Sequence, residues 1–180
     1  MLCPDHRVLG IHLDGIHFKL HLMAMDSLPK RKRPAHWVSH EKGNQSVIVF
    51  ATVCTKARAK LLATPEMHEH IVDAWKTAEF WKVGRYVIMS DHIHFFCSPG
   101  SYPTHPFRKW VGFWKNRIVK NSGVRGFWQR DVWDTQLRRG ESYSAKWQYV
   151  RENPVRAGLV DRSNEWAYQG ELEPLWWHDA

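Results

Sequence analysis

Residues 82–100 read KVGRYVIMSDHIHFFCSPG, and how they fold decides the architecture around them. Two runs rich in β-branched and aromatic residues, KVGRYVIMS and HIHFFCS, flank Ser90 and Asp91, a pair suited to a tight turn. The stretch therefore predicts two neighbouring strands. Side chains two apart on a strand share a face, so His92 and His94 project together while Ile93 and Phe95 turn toward the core. Two imidazoles on one face can ligate one divalent ion, provided that a third polar group arrives from elsewhere. Taken alone, the pair reads better as two satisfied or exposed strand histidines.

The flanking sequence extends this unit in both directions. SVIVFATVCT (46–55) predicts a buried strand. TPEMHEHIVDAWKTAEF then offers Thr64 as N-cap and Pro65 at the first helical position, with Met67, Ile71, Ala74, Trp75 and Ala78 at helical spacing. HPFRKWVGFWKNRIVKNSG predicts a second helix stopped at Gly123. GFWQRDVWDTQLRR predicts a further strand, and YSAKWQYVREN a last helix starting near Ser142 and running up to Pro154. The order is that of an α+β ferredoxin-like split βαβ fold, an antiparallel sheet with helices on one face and an added C-terminal helix that carries Tyr149. No internal repeat is present.

Composition narrows the partners. The 180 residues, 43% of them hydrophobic, suffice for one domain with its own core. Twenty-six Lys and Arg against 18 Asp and Glu leave a net charge of +8, which favours an anionic partner, nucleic acid before a membrane surface. Cys3, Cys54 and Cys97 are odd in number and form no CxxC, which argues against a disulfide scaffold or thiolate zinc site and suits the cytoplasm. No apolar run approaches the length of a membrane span. HLDGIHFKLHL breaks any signal-peptide core, and His6, His12, His17 and His21 match no metal spacing. We expect 1–36 to be a poorly ordered leader ending in a basic arm (KRKR, 30–33), 37–170 to be the functional domain and 171–180 a tail. The arm reads first as solvated, with an accessory phosphate contact as the sharper alternative.

Two further groups of residues carry possible chemistry. Tyr149 and Asn153 are four apart, so on a helix they share a face. A tyrosine beside an imidazole-bound metal suits nucleophilic attack on a phosphodiester. Against this, Tyr149 reads as a rim aromatic, and Asn153 before Pro154 reads as an N-cap. The helix 105–120 interleaves Arg108, Lys109, Lys115, Arg117 and Lys120 with Trp110 and Trp114, cations for phosphates and rings for unpaired bases. The competing reading of Trp110 and Trp114, four apart, is a core-facing stripe. Arg138, Arg139, Arg151 and Arg156 are candidates for the same surface.

YVIMSDHIHFF, GFWQRDVWD and YVRENPVRAGLV, in this order and spacing, resemble the HUH-type single-tyrosine transposases. They are most similar to the branch associated with repetitive extragenic palindromes (REPs), within the IS200-like superfamily. The resemblance covers roughly residues 37–170, and NPVRAGLV is its most distinctive block. It implies His92 and His94 as the metal ligands, Tyr149 as nucleophile, and Asn153 at a polar position, often Gln in the wider group, that completes the metal site. Tyr143, six residues earlier, is the rival nucleophile on another side of the helix. Also implied are Mg²⁺ or Mn²⁺, single-stranded DNA with palindromic hairpins as partner, a 5′-phosphotyrosine intermediate, a monomer or homodimer, and a bacterial cytoplasmic, nucleoid-associated location. Two other classes stay open: a non-catalytic DNA or RNA hairpin-binding protein, and a phosphodiesterase that uses water. A domesticated REP-processing nuclease is a variant of the first reading.

Overall fold

The computed structural model describes residues 47–138 and 141–177. The expected leader, its four histidines, the KRKR arm and Arg139 lie outside the described residues. Five strands form one sheet: β1 (Val49–Cys54), β2 (Trp81–Ile88), β3 (His92–Pro99), β4 (Trp133–Gln136) and β5 (Gln169–Glu171). They lie in the order β4-β1-β3-β2-β5, and every neighbouring pair is antiparallel. Helix α1 (Pro65–Thr77) joins β1 to β2, and α2 (Phe107–Ser122) joins β3 to β4. The first four strands and two helices are thus the ferredoxin-like unit, with β5 added along β2. After β4 come α3 (Tyr143–Arg151) and the short α4 (Asn153–Arg156).

Local sequence fixes most of the ends. Thr64 caps α1 by accepting from Met67 N–H at 3.2 Å, and Pro65 follows without losing a hydrogen bond. Gly123 ends α2 in the left-handed conformation at φ 71°, which costs glycine little. Ser142 caps α3 by accepting from Ala145 N–H at 3.1 Å. The Ser90–Asp91 turn is tied down from outside: Leu62 N–H donates to Ser90 C=O, and Thr55 donates to Asp91 C=O from both its backbone and its hydroxyl, each at 2.9 Å.

The strand expected over 126–139 is shorter than its pattern suggested. Only Trp133–Gln136 pairs with β1; upstream, a single bridge joins Trp128 to Thr55. The reason is that β1 stops at Cys54 and the chain turns through Lys56–Arg58, so residues 126–132 run past its end. Phe127 instead enters the core.

Alternation splits the sheet into two faces. On one, Val49, Ala51, Val53, Ile93, Phe95 and Cys97 meet α1 and α2. Trp75, Phe95, Trp110 and Trp114 form a ring cluster there, with centroids 5.5 to 6.1 Å apart. On the other face, Ile48, Val87 and Phe96 meet Tyr143 and Val150 of α3, with Trp147, Trp166, Leu175 and Trp177 packed around them. The histidines share this second face.

Candidate metal and nucleophile site

His92 and His94 stand on β3 with ring centroids 4.7 Å apart. Each has a partner at Nδ1. His92 Nδ1 donates to Asp91 Oδ1 at 2.6 Å, and His94 Nδ1 shares a 2.8 Å hydrogen bond with the hydroxyl of Thr52, its cross-strand neighbour on β1. With Nδ1–H directed to these oxygens, both Nε2 atoms keep a lone pair, the arrangement that orients metal-binding histidines. Asp91 is itself held: its Oδ2 pairs with Arg58 Nε at 2.7 Å. Arg58 and Ala57 both take left-handed backbone conformations, at φ 57° and 53°, which non-glycine residues adopt at a cost. That strained turn aims Arg58 at the carboxylate beside the histidines.

Electrostatics keep His94 in ligating form. Burial first, then the charges of His92, Arg156 and Arg58, push the His94 imidazole down to about 3 against the opposing pull of Asp91. His94 is therefore neutral at neutral pH. Burial raises the Asp91 carboxyl, but the hydrogen bond and charge of His92, the charge of Arg58 and its own backbone N–H outweigh this and bring it below its ordinary value. Among the described residues no cluster of three or more His, Cys, Asp and Glu surrounds the pair. Two oriented imidazoles fit a divalent ion whose other positions are filled by oxygen donors from outside such a cluster.

Tyr149 lies on α3, which covers the same sheet face. Its side chain is 64% exposed, whereas Tyr143 is 4% exposed and packs against Phe96 at 5.0 Å. Of the two tyrosines only Tyr149 is open to a large substrate. Arg156 of α4 places its guanidinium 4.3 Å from the Tyr149 ring centre and donates to Tyr149 C=O at 2.7 Å and to Asn153 Oδ1 at 2.6 Å. The charge of Arg156 also reaches His94. Lys146 of α3 sits over the Phe50 ring, which stacks on His94 at 5.6 Å. These contacts join the tyrosine helix to the histidine strand, although no hydrogen bond links Tyr149 to either imidazole among the described residues.

Asn153 does not act as a cap. Glu152 occupies the cap position, Asn153 is the first residue of α4, and its side-chain oxygen accepts from Arg156. The role implied for it in the metal site requires that this oxygen exchange partners.

The basic helix departs from expectation more sharply. Trp114 is fully buried among Trp75, Phe95 and Trp110, so it cannot stack on bases. Lys115 is 6% exposed and donates to Gln129 C=O at 2.7 Å; burial chiefly, with the charge of Arg108, brings its ammonium down to about 8, against Asp131 and Cys54. Arg108 is exposed but paired with Asp131, Arg117 is half-buried, and Lys109 and Lys120 are exposed. The helix also covers the face opposite the histidines. Period alone could not tell which side of α2 would be buried. Asp91, Thr52 and Arg58 were missed; Asp91 abuts the HIH motif and was legible, whereas Thr52 becomes visible only once the β1–β3 register is known.

No family model matches the chain. A REP-associated tyrosine transposase of Escherichia coli (strain K12) is 22% identical over 120 residues, 66% of this chain and 72% of that protein. A solved structure of the REP-associated tyrosine transposase bound to a REP hairpin superposes with a TM-score of 0.60 at 18% identity, covering 77% of this chain and 81% of the other. Among the described residues no helix is long and apolar enough to cross a membrane. In sequence and in fold, the chain is similar to the REP-associated tyrosine transposases.

Proposed function

We propose that this protein is a transposase-type endonuclease and strand transferase that cleaves and rejoins hairpin-containing single-stranded DNA. The observation that carries the proposal is the placement of two histidines on β3, each held at Nδ1, under a helix that covers the same face and carries an exposed tyrosine. The relatives supply the substrate class: one of them is a REP-associated tyrosine transposase bound to a REP hairpin.

Tyr149 Oη attacks phosphorus, the bond to the 3′ oxygen breaks, and that oxygen leaves as a 3′-hydroxyl with the proton the phenol gives up. The 5′ phosphate stays on Tyr149 as a phosphodiester. A second 3′-hydroxyl reverses the step and joins new ends, so phosphodiester bonds are exchanged without ATP. Arg156 limits the orientations of the Tyr149 ring and brings a cation beside the incoming phosphate. Asp91 and Thr52 hold the imidazoles, and His94 stays uncharged so that its lone pair is free. Bound by His92 and His94, Mg²⁺ or Mn²⁺ would polarise a phosphoryl oxygen and offset charge at phosphorus. Asn153 is the candidate for a further oxygen donor.

The test is a denaturing gel. Wild-type protein incubated with labelled hairpin DNA and Mg²⁺ or Mn²⁺ gives a protein–DNA adduct that survives denaturation, and Tyr149→Phe gives none. A chain that binds hairpins without forming an adduct or cutting them is the non-catalytic binder. One that cuts without an adduct uses water.

A further inference from the structure

At the end of the sheet remote from the histidines, the α1–β2 loop, the β3–α2 loop and the first turns of α2 enclose a cleft of about 630 Å³. Gly100 lies one residue past the end of β3 and six residues from His94, so the cleft begins about 20 Å from the histidines, and α2 belongs to the other face. We propose that this cleft binds an unpaired nucleotide of single-stranded DNA, a contact separate from the tyrosine site. The identity of the ligand rests on the proposed function; the existence of a formed site does not.

Three features support it. The first is an aromatic platform. Phe80 is 52% exposed and stacks on His105, with ring centres 4.3 Å apart and planes 15° from parallel; Phe113, also 52% exposed, lines the same cleft from α2. Rings of this size left half in solvent around a concave surface suit stacking on a base, whichever base it is. The second is charge. Lys82 and Lys109 line the cleft, and among the described residues neither has an ion-pair partner, whereas Glu79 is the one carboxylate there. Lys109 and Phe113 are four apart on α2, so cation and ring share the exposed ridge of that helix. A chain seated on the rings would pass its phosphates beside these lysines. The third is rigidity. Gly100 N–H donates to Phe80 C=O at 2.9 Å, and Trp81 Nε1 donates to His105 C=O at 2.9 Å, so both loops are pinned together. A Cβ on Gly100 would lie 2.5 Å from Glu79 C=O, so only glycine permits this approach. The volume falls within the range of small-molecule sites and exceeds what one base needs.

The experiment compares two probes by fluorescence anisotropy: a blunt hairpin, and the same hairpin with an unpaired extension of about ten nucleotides on either side. The full chain should bind the better extended probe about tenfold more tightly than the blunt one. Phe80→Ala with Phe113→Ala should remove that gain and leave the blunt hairpin unchanged. Phe80→Tyr with Phe113→Tyr, which keeps the rings, should retain it. Lys82→Gln with Lys109→Gln should flatten the log affinity against log salt slope by about 1.4 on the extended probe, for two single-strand phosphates. Iodouracil in the extension should photocrosslink to the segments holding Phe80 or 105–113. Unchanged affinity in both alanine and glutamine variants, as expected of a protein-docking cleft, overturns the inference while the proposed function stands. Equal weakening on both probes also overturns it, because the contact would then be to the duplex. Failure of the wild type to bind any hairpin overturns the proposed function and this inference together.

Discussion

The two faces of the sheet draw on alternate residues of the same strands, yet they differ in chemistry. Below β3, Ile93 and Phe95 are sealed under α1 and α2 in a dry cluster of tryptophans and aliphatic side chains. Above it, His92 and His94 meet a carboxylate and a hydroxyl, the charges of two arginines reach His94, and the covering helix leaves its tyrosine in solvent. A one-residue period change therefore separates the part of the strand that holds the fold from the part proposed to do chemistry. Each strand can serve both because backbone pairing is shared and only side chains differ. If the division is right, substitutions on the two faces should fail in different assays.

The largest expected effect is on the upper face. His92→Ala with His94→Ala should abolish DNA cleavage while hairpin affinity and thermal stability stay near wild type, as measured by gel, anisotropy and melting. Loss of binding in parallel would assign the pair a structural role and blur the two faces. The lower face should behave oppositely: Trp114→Ala should cost about 3–5 kcal/mol in urea denaturation, as large-to-small changes in packed cores do. A Trp114 variant that keeps its stability but loses DNA binding would return this ring to the nucleic-acid surface.

Smaller effects grade the supporting contacts. Asp91→Asn keeps the side chain's size but weakens its hold on His92 and Arg58, and should raise the Mn²⁺ concentration for half-maximal cleavage by about 10–100-fold. No change in that concentration would remove Asp91 from the metal site. A separate effect, read as a pH dependence, concerns Lys115, whose ammonium is lowered to about 8 from 10.5. Between those values the unfolded chain binds more protons at this residue than the folded one, so rising pH favours folding. Relative to Lys115→Met, the wild type should gain melting temperature from pH 8 to 10.5 and show no relative change below pH 8. A flat difference across the whole range would mean that the buried ammonium is not penalised.

How much of this could be read beforehand depended on whether the cause was local. Thr64–Pro65 and Ser142 announced their helices because a cap and the groups it satisfies lie within one turn. The strand pair around Ser90 and Asp91 was legible from its β-branched and aromatic runs and the turn pair between them, and with it the shared face of His92 and His94. The edge strand β5, Gln-Gly-Glu, has no alternation to detect and exists because β2 offers it an edge, with Arg85 holding Glu171 at 3.3 Å. The orientation of α2 was open because both sides of that helix carry aromatic and basic residues. Within the site, Tyr149 and the histidines stood out by type and order, whereas Thr52 and Arg58 act through register and a strained turn. Arg156 was noted only as a surface cation. Its contacts to Tyr149 and Asn153 depend on the break between α3 and α4.

The central claim is that Tyr149 is the nucleophile of a two-histidine site on the upper face. Digesting the denaturation-resistant adduct and mapping the modified peptide by mass spectrometry tests it most directly. The account predicts a single nucleotide-bearing residue, Tyr149, formed only with Mg²⁺ or Mn²⁺ present and absent in the His92→Ala, His94→Ala double variant. Modification at Tyr143 or another residue, or cleaved DNA with no adduct at all, would contradict it.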